Sequence, residues 1–186
     1  MKSGCFGTSL LLAIITLMSG CKATMPTMEF TPTDVVPTTR KIDADLRSIT
    51  ITIAEAKEQK GEVQVGFGGN VYEQSFKQAF KTALEEGLAR SAIFSDLSSR
   101  KVSLAARVLR FQSPKMSARF KTEMIVRYEI LDRNSGSVIY SNEVASTGEV
   151  SMNYAFLGAA RWAEARNITV RQNVKNLIAD LETNQF

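Results

Sequence analysis

A chain of 186 residues with 44% hydrophobic and 23% charged side chains has room for one ordinary domain, and this balance excludes both a wholly disordered chain and a polytopic membrane protein. The formal charge is +4, with Lys and Arg interleaved with acids along most of the chain. The concentrated basic stripe that phosphate neutralisation requires is missing, so no nucleic-acid partner is expected. Histidine is absent, which removes the commonest general base and the commonest transition-metal ligand.

Residues 1–20 read as an export signal. Lys2 supplies a short positive region, an apolar stretch runs from Leu10 to Met18, and the small pair Ser19 and Gly20 precedes Cys21. The apolar run is well short of the ~20 residues needed to span a bilayer. The motif Met18-Ser19-Gly20-Cys21 resembles the lipobox of bacterial lipoproteins, with Met18 standing where that pattern favours Leu. The resemblance implies that the Cys21 thiol receives diacylglycerol and that cleavage falls just before it. The mature chain then keeps one cysteine and forms no internal disulfide. Several acyl chains on one residue anchor a protein stably without spanning the membrane. Lys22 follows the cysteine, and the resemblance to enterobacterial lipoproteins implies, from the lack of Asp at that place, sorting to the outer membrane with the domain on the periplasmic face.

Residues 21–45 hold the lipidated cysteine and then Pro26, Pro32 and Pro37 among a run of threonines, with no sustained apolar period. This composition predicts a flexible tether that holds the domain away from the bilayer. The domain itself is expected over 46–186.

Over 46–56, Ile49, Ile51 and Ile53 alternate with Thr50 and Thr52, which predicts a first strand. Val63, Val65 and Phe67 alternate briefly afterwards and predict a short extension or small strand. Asn70 and Glu73 have capping-box spacing, and Phe76, Ala79, Phe80, Ala83, Leu84 and Leu88 then recur every three or four residues, predicting a helix over about 71–90. Strands are predicted at 101–111 and 118–132. In the second, Phe120, Met124, Val126, Tyr128 and Ile130 face one way and Arg119, Lys121, Glu123, Arg127 and Glu129 the other. The run Asp132-Arg133-Asn134-Ser135-Gly136 has the chemistry of a tight hairpin, leading to a return strand over 137–146. Ala159, Ala163, Val170, Val174, Leu177 and Leu181 predict a closing helix over about 156–181.

The order β-α-β-β-β-α predicts an α+β fold: an antiparallel sheet of about four strands with two helices packed on one face. The lipobox, the helix before a strand meander, the strand ending Tyr128-Glu129-Ile130-Leu131-Asp132 with its Gly136 turn, and a closing helix containing Asn173 and Leu177 resemble the small outer-membrane lipoproteins of the YajG type, with an LptE-like topology. This resemblance bears on fold and location and carries no catalytic signature.

No residue pattern announces chemistry. The run Gly66-Phe67-Gly68-Gly69 lacks the Lys and the Ser or Thr that complete a phosphate-binding loop, and reads as a turn. Hydrolysis by a serine would need a Lys or carboxylate base that no motif marks. No catalytic, cofactor-binding or metal-ligating residue is expected, and the protein is not expected to be an enzyme. Arg107, Arg119, Lys121 and Arg127 are the candidates for a partner surface on the open sheet face, suited to an acidic partner or an anionic lipid headgroup, although Glu123, Glu129 and Glu143 dilute their charge. Tyr154, Phe156 and Trp162 cluster at the entry to the last helix and are expected in the core. The expected role is that of a non-catalytic envelope lipoprotein that binds a protein partner and helps to assemble or stabilise a periplasmic or outer-membrane complex. The alternative is an accessory protein for lipid or lipopolysaccharide binding and transport.

Overall fold

The computed structural model describes residues 27–65, 69–113 and 119–184, with backbone alone at 69–71. The predicted leader, Cys21, Lys22, Pro26, residues 66–68 and Pro114 lie outside the described residues, as does the side chain of Asn70. The elements run in the predicted order: β1 (Asp45–Ile53), α1 (Gly69–Ser91), β2 (Lys101–Gln112), β3 (Phe120–Asp132), β4 (Val138–Val150) and α2 (Gly158–Thr183). They form an α+β domain around one four-stranded sheet of spatial order β1-β2-β3-β4.

The sheet is mixed. β2, β3 and β4 form an antiparallel meander, whereas β1 lies parallel to β2, with Ile49 opposite Leu104. The all-antiparallel expectation thus fails at one edge. Parallel neighbours need a long crossover, usually a helix, and α1 is that crossover, so the helix between two strand patterns already carried the signal. Residues 60–64 continue the edge beyond β1: Lys60 N–H donates to Leu109 O, and Glu62 and Gln64 bracket Phe111 in a short parallel bridge at Val63. This is the short extension expected after the first strand.

Alternation along the strands produces a one-sided core. On β3, Met124, Val126, Tyr128 and Ile130 are buried, while the odd-numbered neighbours face outward. Val102, Leu104, Ala106 and Val108 of β2 join them. α1 covers this face through Phe76, Phe80, Ala83, Leu84 and Leu88, and α2 through Val170, Val174, Leu177 and Leu181. The β3–β4 turn closes as its chemistry predicts. The Asp132 carboxylate accepts from the Asn134 and Ser135 N–H groups, and Gly136 takes a φ of 72°, which glycine reaches at low cost. β4 runs past the predicted 146, because Ser146 and Val150 stay buried and Gly148 lets α2 press against the strand.

From Thr27 onward, the expected free tether is folded into the domain, and its residues 21–26 lie outside the described residues. Residues 27–44 run as an extended arm between the helices, with Phe30 and Pro32 buried. Phe30 meets Phe76 edge-on at 5.6 Å. Arg171 donates to Glu29 O at 2.7 Å, Arg90 to Pro32 O at 2.9 Å, and Thr39 N–H to the Glu182 carboxylate at 2.9 Å. Thr38 N–H donates to Ser91 O at the end of α1, and Ile42 N–H to Ile93 O just past it. An arm whose backbone partners are helix side chains and loop carbonyls need show neither strand nor helix periodicity, which is why composition alone suggested a linker. Phe30→Ala is expected to cost about 3 kcal/mol and to lower Tm by about 10 °C. An unchanged thermal unfolding curve would mean that the arm adds nothing to the fold.

Candidate functional site

The four sequence-predicted surface cations lie on the sheet face opposite the helices or at its rim, and each has an acidic partner. Arg107 on β2 reaches Glu58 at 3.0 Å, and Arg127 on β3 reaches Glu143 of β4, its direct cross-strand neighbour, at 2.9 Å. Lys121 pairs with Glu123 at 2.8 Å, and Arg119 with Glu149 at 3.0 Å. Two further cations extend the lattice: Arg110 reaches Glu123 at 3.4 Å, and Lys60 pairs with Glu143. Arg107 and Arg127 face each other in register, and the repulsion between them is relieved by a carboxylate at each.

The surface that sequence reading makes mildly basic is therefore laced with alternating charge. The neighbouring cations hold the carboxyls of Glu123 and Glu143 below the usual carboxylate range, chiefly through the hydrogen bonds from Lys121 to the first and from Lys60 to the second. Exposed pairs of this kind contribute little stability each. They do arrange donors and acceptors at fixed spacing, which suits recognition of a polar partner better than attraction of a uniformly anionic one.

On the other face of the sheet, a buried polar chain fixes how α2 sits. The Tyr128 hydroxyl donates to Asn173 Oδ1 at 2.7 Å, and Asn173 Nδ2 donates to Val144 O at 3.0 Å and to Ser146 Oγ at 3.1 Å. Ser146 Oγ donates to Thr169 O, and the Thr169 hydroxyl lies 2.7 Å from Ala165 O and 3.2 Å from Thr122 O. Burial pushes the Tyr128 phenol well above its ordinary pKa, so it remains a neutral donor. Sequence reading used Asn173 only as part of a family resemblance. The available signal was polar residues at 169 and 173, four apart, inside the apolar stripe of Val170, Val174 and Leu177.

The start of α2 departs from expectation. Ala159 is exposed, and the buried stripe begins at Ala165. Tyr154 and Phe156, expected in the core, are exposed, with Phe156 at 99%. Trp162 is partly buried, its ring 4.2 Å from the Arg166 guanidinium, which also lies 4.1 Å from the Phe111 ring. Arg166 is buried, and its Nη1 has no hydrogen-bond partner. Desolvation lowers its pKa to about 9, and the two ring faces offset part of that cost.

Among the described residues, no group of Cys, Asp and Glu side chains is placed to hold a metal ion, and no helix is long and apolar enough to cross a membrane. A groove of about 510 Å³ lies between β1 and the end of α1. Leu46, Ile49, Leu88 and Phe94 line it together with Lys41, Arg47, Glu85 and Asp96.

Compared by sequence, the chain matches no family model and no curated protein. In fold it is similar to protein XCC0632 from Xanthomonas campestris, of the DUF330 family. The two are 16% identical and superpose with a TM-score of 0.53 over 82% of this chain and 90% of that one. Weaker likenesses include a minor lipoprotein from Acinetobacter baumannii, with 14% identity and a TM-score of 0.42 over 74% of this chain and 91% of that one. Another is lipoprotein GNA1162 from Neisseria meningitidis, with 14% identity and a TM-score of 0.31 over 74% and 98%. At these identities the likeness is one of fold.

Proposed function

We propose that the protein is a non-catalytic envelope lipoprotein of the YajG type, acylated at Cys21 and held at the periplasmic face of the outer membrane. There it binds a protein partner and helps to assemble or stabilise an envelope complex. The observation that carries this reading is the place of Cys21, directly behind an export-type apolar segment and six residues ahead of Thr27, which is already held against the domain. An acyl chain there would hold the domain close to the bilayer and in a restricted orientation, which serves a surface that must meet a membrane-bound complex. The charge-laced sheet face is the surface assigned to the partner.

Intact mass of the membrane-extracted protein tests the anchor. A mature chain beginning at Cys21 with added acyl mass is expected, and Cys21→Ser should abolish both the added mass and processing by the lipoprotein route. A mature chain starting elsewhere, or without acyl mass, overturns the anchor. The groove beside β1 favours the second reading, a lipid or lipopolysaccharide accessory protein, because it combines an apolar floor with Lys41 and Arg47. Mass spectrometry of lipids extracted from the purified domain separates the two: a stoichiometric co-purified lipid supports the second reading, and its absence together with capture of a protein complex supports the first.

A further inference from the structure

We infer that the loop joining β4 to α2, residues 151–157, inserts its apolar side chains into the lipid surface to which the chain is anchored. Met152, Tyr154, Phe156 and Leu157 are all exposed within this short stretch, whereas the other exposed large apolar residues among the described ones, Val36, Tyr72, Leu97 and Val138, stand singly in the sequence. The loop is tied to the helix behind it. Arg161 Nη1 donates to Met152 O and to Ala155 O, each at 3.1 Å, and its guanidinium lies over the Phe120 ring at 5.1 Å. Four apolar side chains are thereby presented to solvent by a braced backbone.

The course of the arm identifies what covers them. Thr27 O accepts from Asn167 Nδ2 at 3.2 Å, Glu29 O from Arg171, the Asp34 carboxylate from Lys175, and Glu182 accepts from Thr39. The arm and α2 thus run in the same direction. From Thr39 back to Thr27 the arm approaches the N-terminal end of α2, where the apolar loop lies. Asn167 stands ten residues beyond Leu157, about 15 Å along a helix axis. Cys21 precedes Thr27 by six residues, and an extended chain covers at most about 20 Å over that length. Six residues are therefore long enough for an anchor at Cys21 to share a plane with the side chain of Phe156. Phe, Leu and Met suit the acyl boundary, and Tyr154 offers an apolar ring with a polar tip for the headgroup level.

This inference rests on the proposed anchor, and the test keeps the two separable. A bimane fluorophore is placed on Phe156→Cys or, as a reference, on Leu97→Cys, which is 97% exposed beside the groove at β1 and α1. Each protein is prepared acylated, and also as the mature chain with Cys21→Ser and an N-terminal hexahistidine tag held by nickel-chelating lipid. Vesicles contain phosphatidylethanolamine and phosphatidylglycerol with a nitroxide-bearing phospholipid. Quenching at 156 at least about threefold that at 97 is expected in both formats. Quenching in the tagged format with no acyl mass on the native protein removes the anchor and keeps the loop assignment. Equal, weak quenching at both positions overturns the loop assignment and leaves the exposed side chains to a protein partner.

Discussion

Val126→Asp is expected to abolish most of the folded population, while Arg127→Asp one position later leaves the domain intact. Val126 is fully buried on β3 opposite Val144, among apolar neighbours, so a carboxylate there loses its hydration. An unpaired buried charge of this kind costs about 4 kcal/mol or more, a large share of the 5–15 kcal/mol that holds a typical domain together. Arg127 faces the other way and pairs with Glu143 at the half-exposed sheet surface. Reversing its charge sets two carboxylates opposite each other and should cost about 1 kcal/mol. Urea unfolding of the two variants reads the difference directly. Similar losses in both would refute the one-sided sheet; retention of partner capture by the folded Arg127→Asp protein would remove the sheet face from the proposed interface.

The second large effect is expected at Gly148. A Cβ built there would sit 2.4 Å from Ala165 O and 2.6 Å from Thr169 N, both backbone atoms of α2. Backbone in a packed helix cannot yield as a side-chain tip can. Gly148→Ala should therefore push α2 off β4 and strain the Ser146–Thr169 and Asn173–Val144 bonds that set its position. A cost of about 3 kcal/mol is expected, at the upper end for overpacking by one methyl group. Gly136→Ala supplies the contrast: its Cβ would meet nothing within 4 Å, and only the positive φ opposes it, so about 1 kcal/mol is expected. If Gly148→Ala melted with the wild type, the close approach of helix and strand would be wrong.

The two positions also mark where reading the sequence succeeds and where it stops. The even-odd alternation of β3 is visible residue by residue, and the burial of Met124, Val126, Tyr128 and Ile130 follows it. The Asp132–Gly136 turn is equally local, since its hydrogen bonds join residues two to four apart. Gly148 carries no comparable mark. Its role depends on a helix whose contact with it begins at Ala165, and no periodicity within β4 records that neighbour. The candidate surface shows the same split. Arg107, Arg119, Lys121 and Arg127 are recognisable as outward cations, and the Lys121–Glu123 pair is local to one strand, but the pairing of Arg107, Arg119 and Arg127 with Glu58, Glu149 and Glu143 depends on strand register and on the loop after β1.

By itself the sequence determined the order of the elements, the inward face of β3 and of most of both helices and the position of the lipobox-like cysteine, because these rest on periods of two and about 3.6 residues and on short motifs. Tertiary structure alone decided that 27–44 is a docked arm, and that Phe156 faces solvent while Asn173 is buried. Each of these depends on contacts between residues far apart in the chain. Phe30 and Phe156 are both aromatic residues in segments without regular period, yet one meets Phe76 across the core and the other meets nothing that would shield it from water. The free energy that separates them comes from the neighbours that folding supplies, and hydrophobicity read along the chain does not record it.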